Sequence, residues 1–196
     1  MVGSGATGNA RQGYSVAISR DGNTAIVGGL VDNANVGAAW IYVRSGGTWT
    51  QQGSKLVGAG GTGSSTFGSS VALSSDGNTA IVGGQSDNGE VGAFWIFTRS
   101  GTTWTATALQ AAPLPGNWIW EVAARPDDPN TIVLVMSGFG IAHVWRGTVP
   151  AAGPATWTNV SGTGAGALPD IPVNALAIDP LAPDTYYIGT DVAVFR

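Results

Sequence analysis

Short runs of apolar residues, each broken by a turn signal, recur along this chain. Residues 15–19 read Ser-Val-Ala-Ile-Ser and residues 24–29 read Thr-Ala-Ile-Val-Gly-Gly, with Asp21-Gly22-Asn23 between them. Period-two alternation and short apolar runs predict strands. Asp-Gly is a tight-hairpin signal because both residues tolerate positive φ. An Asp-Asn-rich turn follows at Asp32-Asn33, then a strand over 37–44, a Ser-Gly-Gly turn and a short strand holding Trp49. The pattern therefore predicts four antiparallel strands, a to d, in a unit of about 55 residues.

That unit repeats. Residues 15–29 (SVAISRDGNTAIVGG) return at 70–84 as SVALSSDGNTAIVGG, an offset of 55 without gaps. At the same offset Asp32 returns as Asp87, Trp40 as Trp95, Arg44 as Arg99 and Trp49 as Trp104. The second half carries its own pair at an offset of 54: Leu114-Pro115, Val122-Ala123 and Pro126 match Leu168-Pro169, Leu176-Ala177 and Pro180. A Trp-Thr pair at Trp49, Trp104 and Trp157, and an arginine at Arg44, Arg99, Arg146 and Arg196, place all four units in one phase. Four-stranded units with Gly-rich connections and one bulky aromatic each are the pattern of β-propeller blades packed about an axis. The fold class expected is all-β: four blades, the last lacking the equivalent of residues 45–55 and hence one strand. Unclosed blades leave an open edge and two uncovered sheet faces. The expectation is a homodimer in which two chains close an eight-bladed ring; a self-closed four-bladed monomer and a piece of a longer repeat protein are the alternatives.

Composition agrees and removes whole classes of function. Charged residues are 10% of the chain, against ~25% in ordinary globular domains, and Gly numbers 31; charged helical faces are therefore scarce. Eight Trp, four Tyr and five Phe favour sheet. A net charge of −4 with no Lys/Arg cluster argues against nucleic-acid and anionic-membrane partners. With no Cys, disulfides and thiol chemistry are excluded. No apolar run approaches the ~18 residues of a membrane span, and the first residues lack the charged-then-apolar pattern of a signal peptide.

Residues 1–109, with GYSVAISRDGNTAIVGG and VGAAWIYVRSGGTWTQQGSKLVG, resemble the FG-GAP repeats related to the integrin α-chain propeller. Residues 110–196, with VNALAIDPLAPDTYYIGTDVAVFR, more loosely resemble BNR or Asp-box repeats. Arg44–Trp49 and Arg99–Trp104 keep the Gly, Thr and Trp of an Asp-box but carry Ser where its Asp belongs. The resemblance implies one continuous propeller with a junction between repeat types near 106–115, and a secreted or cell-surface parent. It also implies Ca²⁺ binding through an Asp-x-Asp-x-Asp-Gly-like loop, of which residues 32–37 (DNANVG) keep part of the spacing.

In a propeller the b–c turns and d–a connections emerge on one rim. Asp32, Asp87 and Glu90 fall in b–c turns, Asp191 follows the second strand of unit four, and Asp170 lies in a d–a connection. An oxygen-rich, His-poor rim suits a hard cation such as Ca²⁺, with Asp32, Asp87 and Asp191 as candidate ligands; turn chemistry alone also accounts for these residues. Tyr14, Trp118 and Trp120 fall near innermost strands, where rings stack on a sugar or pack in a core. Asp21, Asp76, Asp127, Asp128 and Asp179 read as hairpin-turn residues, and the single His143 as a packed or surface-exposed strand residue. Three glycine-rich segments (3–8, 58–63 and 162–167) match a dinucleotide fingerprint, but a strand follows each instead of the helix that would hold a pyrophosphate. They read as inter-blade loops. The function expected is a module recognising carbohydrate or protein through its loop rim; the alternative is a metal- or carboxylate-assisted hydrolase of esters, phosphoesters or glycosides.

Overall fold

Each a–b hairpin is organised by one aspartate. In the first, Asp21 accepts hydrogen bonds from the Ser19 hydroxyl (2.6 Å) and the Asn23 amide (2.9 Å). Asp76 repeats both contacts with Ser74 and Asn78. These short acceptors satisfy turn donors that the ladder leaves over, so the structural reading of both residues holds. Asp128 and Asp179 act likewise on the amides of Asn130 and Leu181.

The computed structural model describes residues 1–110, 119–149 and 155–196. Among them, fifteen strands form four antiparallel sheets. The first holds β1 (Ser15–Ile18), β2 (Thr24–Gly29), β3 (Ala38–Ser45) and β4 (Thr48–Gln51), and the second β5 (Phe67–Leu73), β6 (Thr79–Gly84), β7 (Ala93–Ser100) and β8 (Thr103–Gln110). The third holds β9 (Ile119–Ala124), β10 (Thr131–Met136), β11 (Val144–Thr148) and β12 (Thr156–Asn159), and the fourth β13 (Val173–Ile178), β14 (Tyr186–Thr190) and β15 (Val194–Phe195). Strands neighbour one another in chain order in every sheet, and the fourth has three where the others have four. This is a β-propeller of four blades. Register copies itself at the repeat offset: Val16 faces Val27 and Val27 faces Trp40, while Val71 faces Val82 and Val82 faces Trp95.

Blades pack face to face, which is why the seam positions are mostly apolar. Ile26 and Ile41 of blade one meet Val71, Leu73, Val82 and Trp95 of blade two. Ile81, Phe94 and Ile96 of blade two meet Ile119, Val122, Ile132 and Leu134 of blade three. Val133 and Val135 of blade three meet Val173, Leu176 and Ile188 of blade four. Full burial of such a side chain contributes about 1.5–3 kcal/mol, so these three seams dominate the fold. No pair of described strands from blades four and one packs to a comparable extent.

The b–c turns at Asp32–Asn35 and Asp87–Glu90 are left-handed, not helical: φ is 49° at Asn33 and 57° at Ala34, and 50° at Asn88 and 68° at Gly89. Asn tolerates this region through local hydrogen bonding. Gly89 takes the strained place of Ala34.

Candidate ligand groove on the propeller axis

The rim acids are not a shared cluster. Asp32 is fully buried, its Oδ1 accepting the Thr7 amide (2.7 Å) while Oδ2 pairs with Lys55. Asp87 is buried too, and its Oδ1 accepts the Thr62 amide at 2.7 Å. Each thus fastens the glycine-rich loop of its own unit across the b–c turn. The same loops lie on the blade tryptophans: Trp40 Nε1 donates to the Ser4 carbonyl (2.8 Å) and Trp95 Nε1 to the Ala59 carbonyl (2.9 Å). Gly58 permits this approach, since a Cβ there would stand 2.7 Å from the Trp95 indole. The fingerprint-like spacing of the first two loops is therefore a lid over a tryptophan.

Asp191, exposed in the tight turn Thr190–Ala193, accepts from the Asn174 amide. Asp170 accepts the Gly140 amide at 2.6 Å, and its carboxylate lies 3.4 Å from Nε2 of buried His143. His143 Nδ1 faces the Met136 carbonyl at 3.3 Å, so both ring nitrogens lie beside acceptors. Ser161 lies beside it, its hydroxyl accepting the His143 and Val144 amides. Among the described residues no three His, Asp or Glu side chains are grouped to hold a metal ion; Asp32, Asp87 and Asp191 have separate partners. Trp118 and the Glu90 side chain lie outside the described residues.

What the structure does bring together lies on the axis. Innermost strands of all four blades line a groove of about 340 Å³ that includes Tyr14, Ser70, Gln85, Trp120, Glu121 and Asn174. Two of the aromatic candidates, Tyr14 and Trp120, are thus placed in one site. Tyr14 is 55% exposed there.

The groove also holds two polar groups that sequence reasoning missed. One is Glu121. It stands on β9 at the seam with blade four, where Oε2 accepts the Leu176 amide at 2.7 Å. Burial pushes its carboxyl above the ordinary value of 4.5, against the opposing pull of that amide. The other is Ser70, buried on β5, whose hydroxyl has no hydrogen-bond partner. The equivalent seam hydroxyl one blade earlier, Ser15, is satisfied by donating to the Gly68 carbonyl at 2.8 Å. An unpaired buried hydroxyl costs about 1–3 kcal/mol. The repeat itself was the available signal: Ser15 and Ser70 are one position, 55 residues apart.

Arg44, Arg99 and their stacking partners stay clear of the groove on outer strands. Arg44 lies over Trp49 at 5.6 Å and Arg99 over Trp104 at 5.5 Å, a cation–π packing that fixes the end of strand c. Among the described residues no helix is long and apolar enough to cross a membrane.

No family model matches the chain, and no curated protein matches it. Solved propellers do. Sqt1 of Chaetomium thermophilum, bound to the N-terminus of ribosomal protein L10, aligns with a TM-score of 0.60 at 19% identity, over 92% of this chain and 43% of that one. The periplasmic gluconolactonase PpgL of Pseudomonas aeruginosa aligns with a TM-score of 0.59 at 15% identity, over 90% and 50%. The β-propeller domain of Myceliophteria thermophila Cps50 (Swd1) aligns at 0.56 and 10%, over 91% and 49%. At these identities the likeness establishes the fold alone, and this chain spans half or less of each matched chain.

Proposed function

We propose that this protein is a propeller recognition module that takes a carbohydrate in its axial groove. The observation that carries the reading is the groove itself, which brings Tyr14, Trp120, the Glu121 carboxyl and the side-chain amides of Gln85 and Asn174 together from all four blades. Sugars match that set: their hydroxyls both donate and accept, while their C–H faces stack on rings. The half-buried carboxyl adds an acceptor that is strong when ionised and a donor when protonated. This differs from a loop-rim reading in placing recognition on strands, which hold side chains more rigidly than turns.

Glu121 favours hydrolysis of a glycoside or lactone as a second reading, because a carboxyl whose affinity for its proton is raised by burial is the equipment of a general acid. One panel separates the two. Defined mono- and disaccharides, with chromogenic glycosides among them, are titrated calorimetrically and followed for turnover, with and without Ca²⁺. Binding without turnover, weakened at least tenfold by Tyr14→Ala at unchanged melting temperature, is the expected result. Turnover abolished by Glu121→Gln supports the second reading. No heat and no turnover across the panel refutes both.

A further inference from the structure

The repeat supplies an internal control for what each blade face needs. On the face of blade one turned away from blade two, Val16 and Ile18 are 68% and 58% exposed. Their equivalents in blade two, Val71 and Leu73, are each 8% exposed, because blade one covers them. The opposite end of the molecule shows the reciprocal gap. Val133 of blade three is fully buried under blade four, whereas its equivalent in blade four, Tyr187, is 38% exposed, and Val194 beside it on β15 is 73% exposed. The chain therefore ends in one uncovered face of each kind: a leading face like those that blades two to four pack inward, and a trailing face like those that receive them.

We propose that these two faces dock on each other between two copies of this chain, head to tail, forming an eight-bladed ring. The occupant follows from the seams already present. A leading face with β-branched residues at positions 16 and 18 is built to pack on a trailing face, as Val71 and Leu73 pack on Ile26 and Ile41, and the trailing face at hand is that of blade four. The length of the arc is compatible: this chain aligns with 49% of the length of the Cps50 propeller domain, leaving about a half that a second copy would fill. A two-fold axis then creates two identical heterologous seams and closes the assembly, with no free face to propagate. The axial groove becomes a channel walled by eight innermost strands. The proposal is independent of the carbohydrate reading, since its readout is mass.

The test is sedimentation equilibrium or light scattering at tens of micromolar, on the wild-type chain and on Val16→Asp and Tyr187→Asp. Both sites are solvent-exposed within one chain, so neither change disturbs a blade core; near-ultraviolet dichroism checks this. The wild type is expected at twice 19.7 kDa, and each variant alone at single-chain mass, with dimerisation weakened at least tenfold. Mixing the two variants restores a dimer, because the pair retains one seam free of both charges. A wild-type monomer overturns the proposal, as when further blades of a longer chain are the natural cover. So does a dimer that Val16→Asp alone disrupts, which would mean leading face on leading face, and so does a mixture that stays monomeric.

Discussion

Glu121 and Asp21 are carboxylates whose environments push them in opposite directions, and their pH signatures differ accordingly. Burial raises Glu121 above 4.5, so between its unfolded and folded values the native state holds the extra proton. Stability then falls as pH rises through the window that opens near 4.5. Asp21 is lowered, first by the Ser19 hydroxyl and then by Asn23, so its contribution is present above 3.8 and is lost as pH falls below that value. Glu121→Gln keeps an acceptor for the Leu176 amide and cannot ionise. It is expected to flatten the stability decline between pH 4 and pH 7, roughly the window above an ordinary carboxyl, in urea titrations across that range. A decline as steep as the wild type's would mean that Glu121 is solvated in solution. The sequence foretold Asp21 and not Glu121 for a physical reason. Asp21 acts within two residues of itself, whereas Glu121 acquires its role from Leu176, 55 residues on, only once two blades pack.

At the scale of the element, strands and hairpins were legible because both obey local rules: period-two burial, Asp-Gly turns, an offset that copies register. Strand c is displaced by one residue, beginning at Ala38 where the pattern suggested 37, within the usual fraying of strand ends. The b–c turns were legible as turns, but the burial of Asp32 and Asp87 was not. Thr7 and Thr62, each 25 residues earlier, must fold over them first. The three glycine-rich loops, alike in spacing, prove unlike in structure. A Cβ at Gly58 would press on Trp95 and Phe67 at 2.7 Å and 2.9 Å, whereas one at the corresponding Gly162 would meet only its own loop, 2.5 Å from the Gly166 carbonyl, and one at Gly166 meets nothing within 4 Å. Gly58→Ala is therefore expected to destabilise by about 2 kcal/mol, as overpacking commonly does, with red-shifted tryptophan emission as the loop lifts. Gly166→Ala is expected to leave both unchanged. Equal effects from the two substitutions would show that the loop does not bear on the indole.

For the whole molecule, the count of blades and the missing strand were written in the repeat, while the axial groove was not, because a groove belongs to no single unit. The same radial order makes stability uneven. Both β6 and β10 have hydrogen-bonded neighbours on either side and are almost wholly buried. By contrast β15 is two residues long, pairs only with β14 and borders an open edge. Local opening follows contact density and exposure of the backbone, so amide hydrogen exchange should be slowest in β6 and β10 and fastest in β15. Strand β1 should be intermediate, since it pairs with β2 alone but still packs Ala17 into the first seam. Exchange at one common rate across these four strands would mean that the blades unfold as one unit. The observed gradient would instead make the seams, each built from a blade and its neighbour, the natural units of opening. If the proposed ring forms, the exposed end faces carry a second consequence: protection in β1 and β14 should rise with protein concentration while β6 and β10 stay constant, because only the former lie beside surface that a second copy would cover.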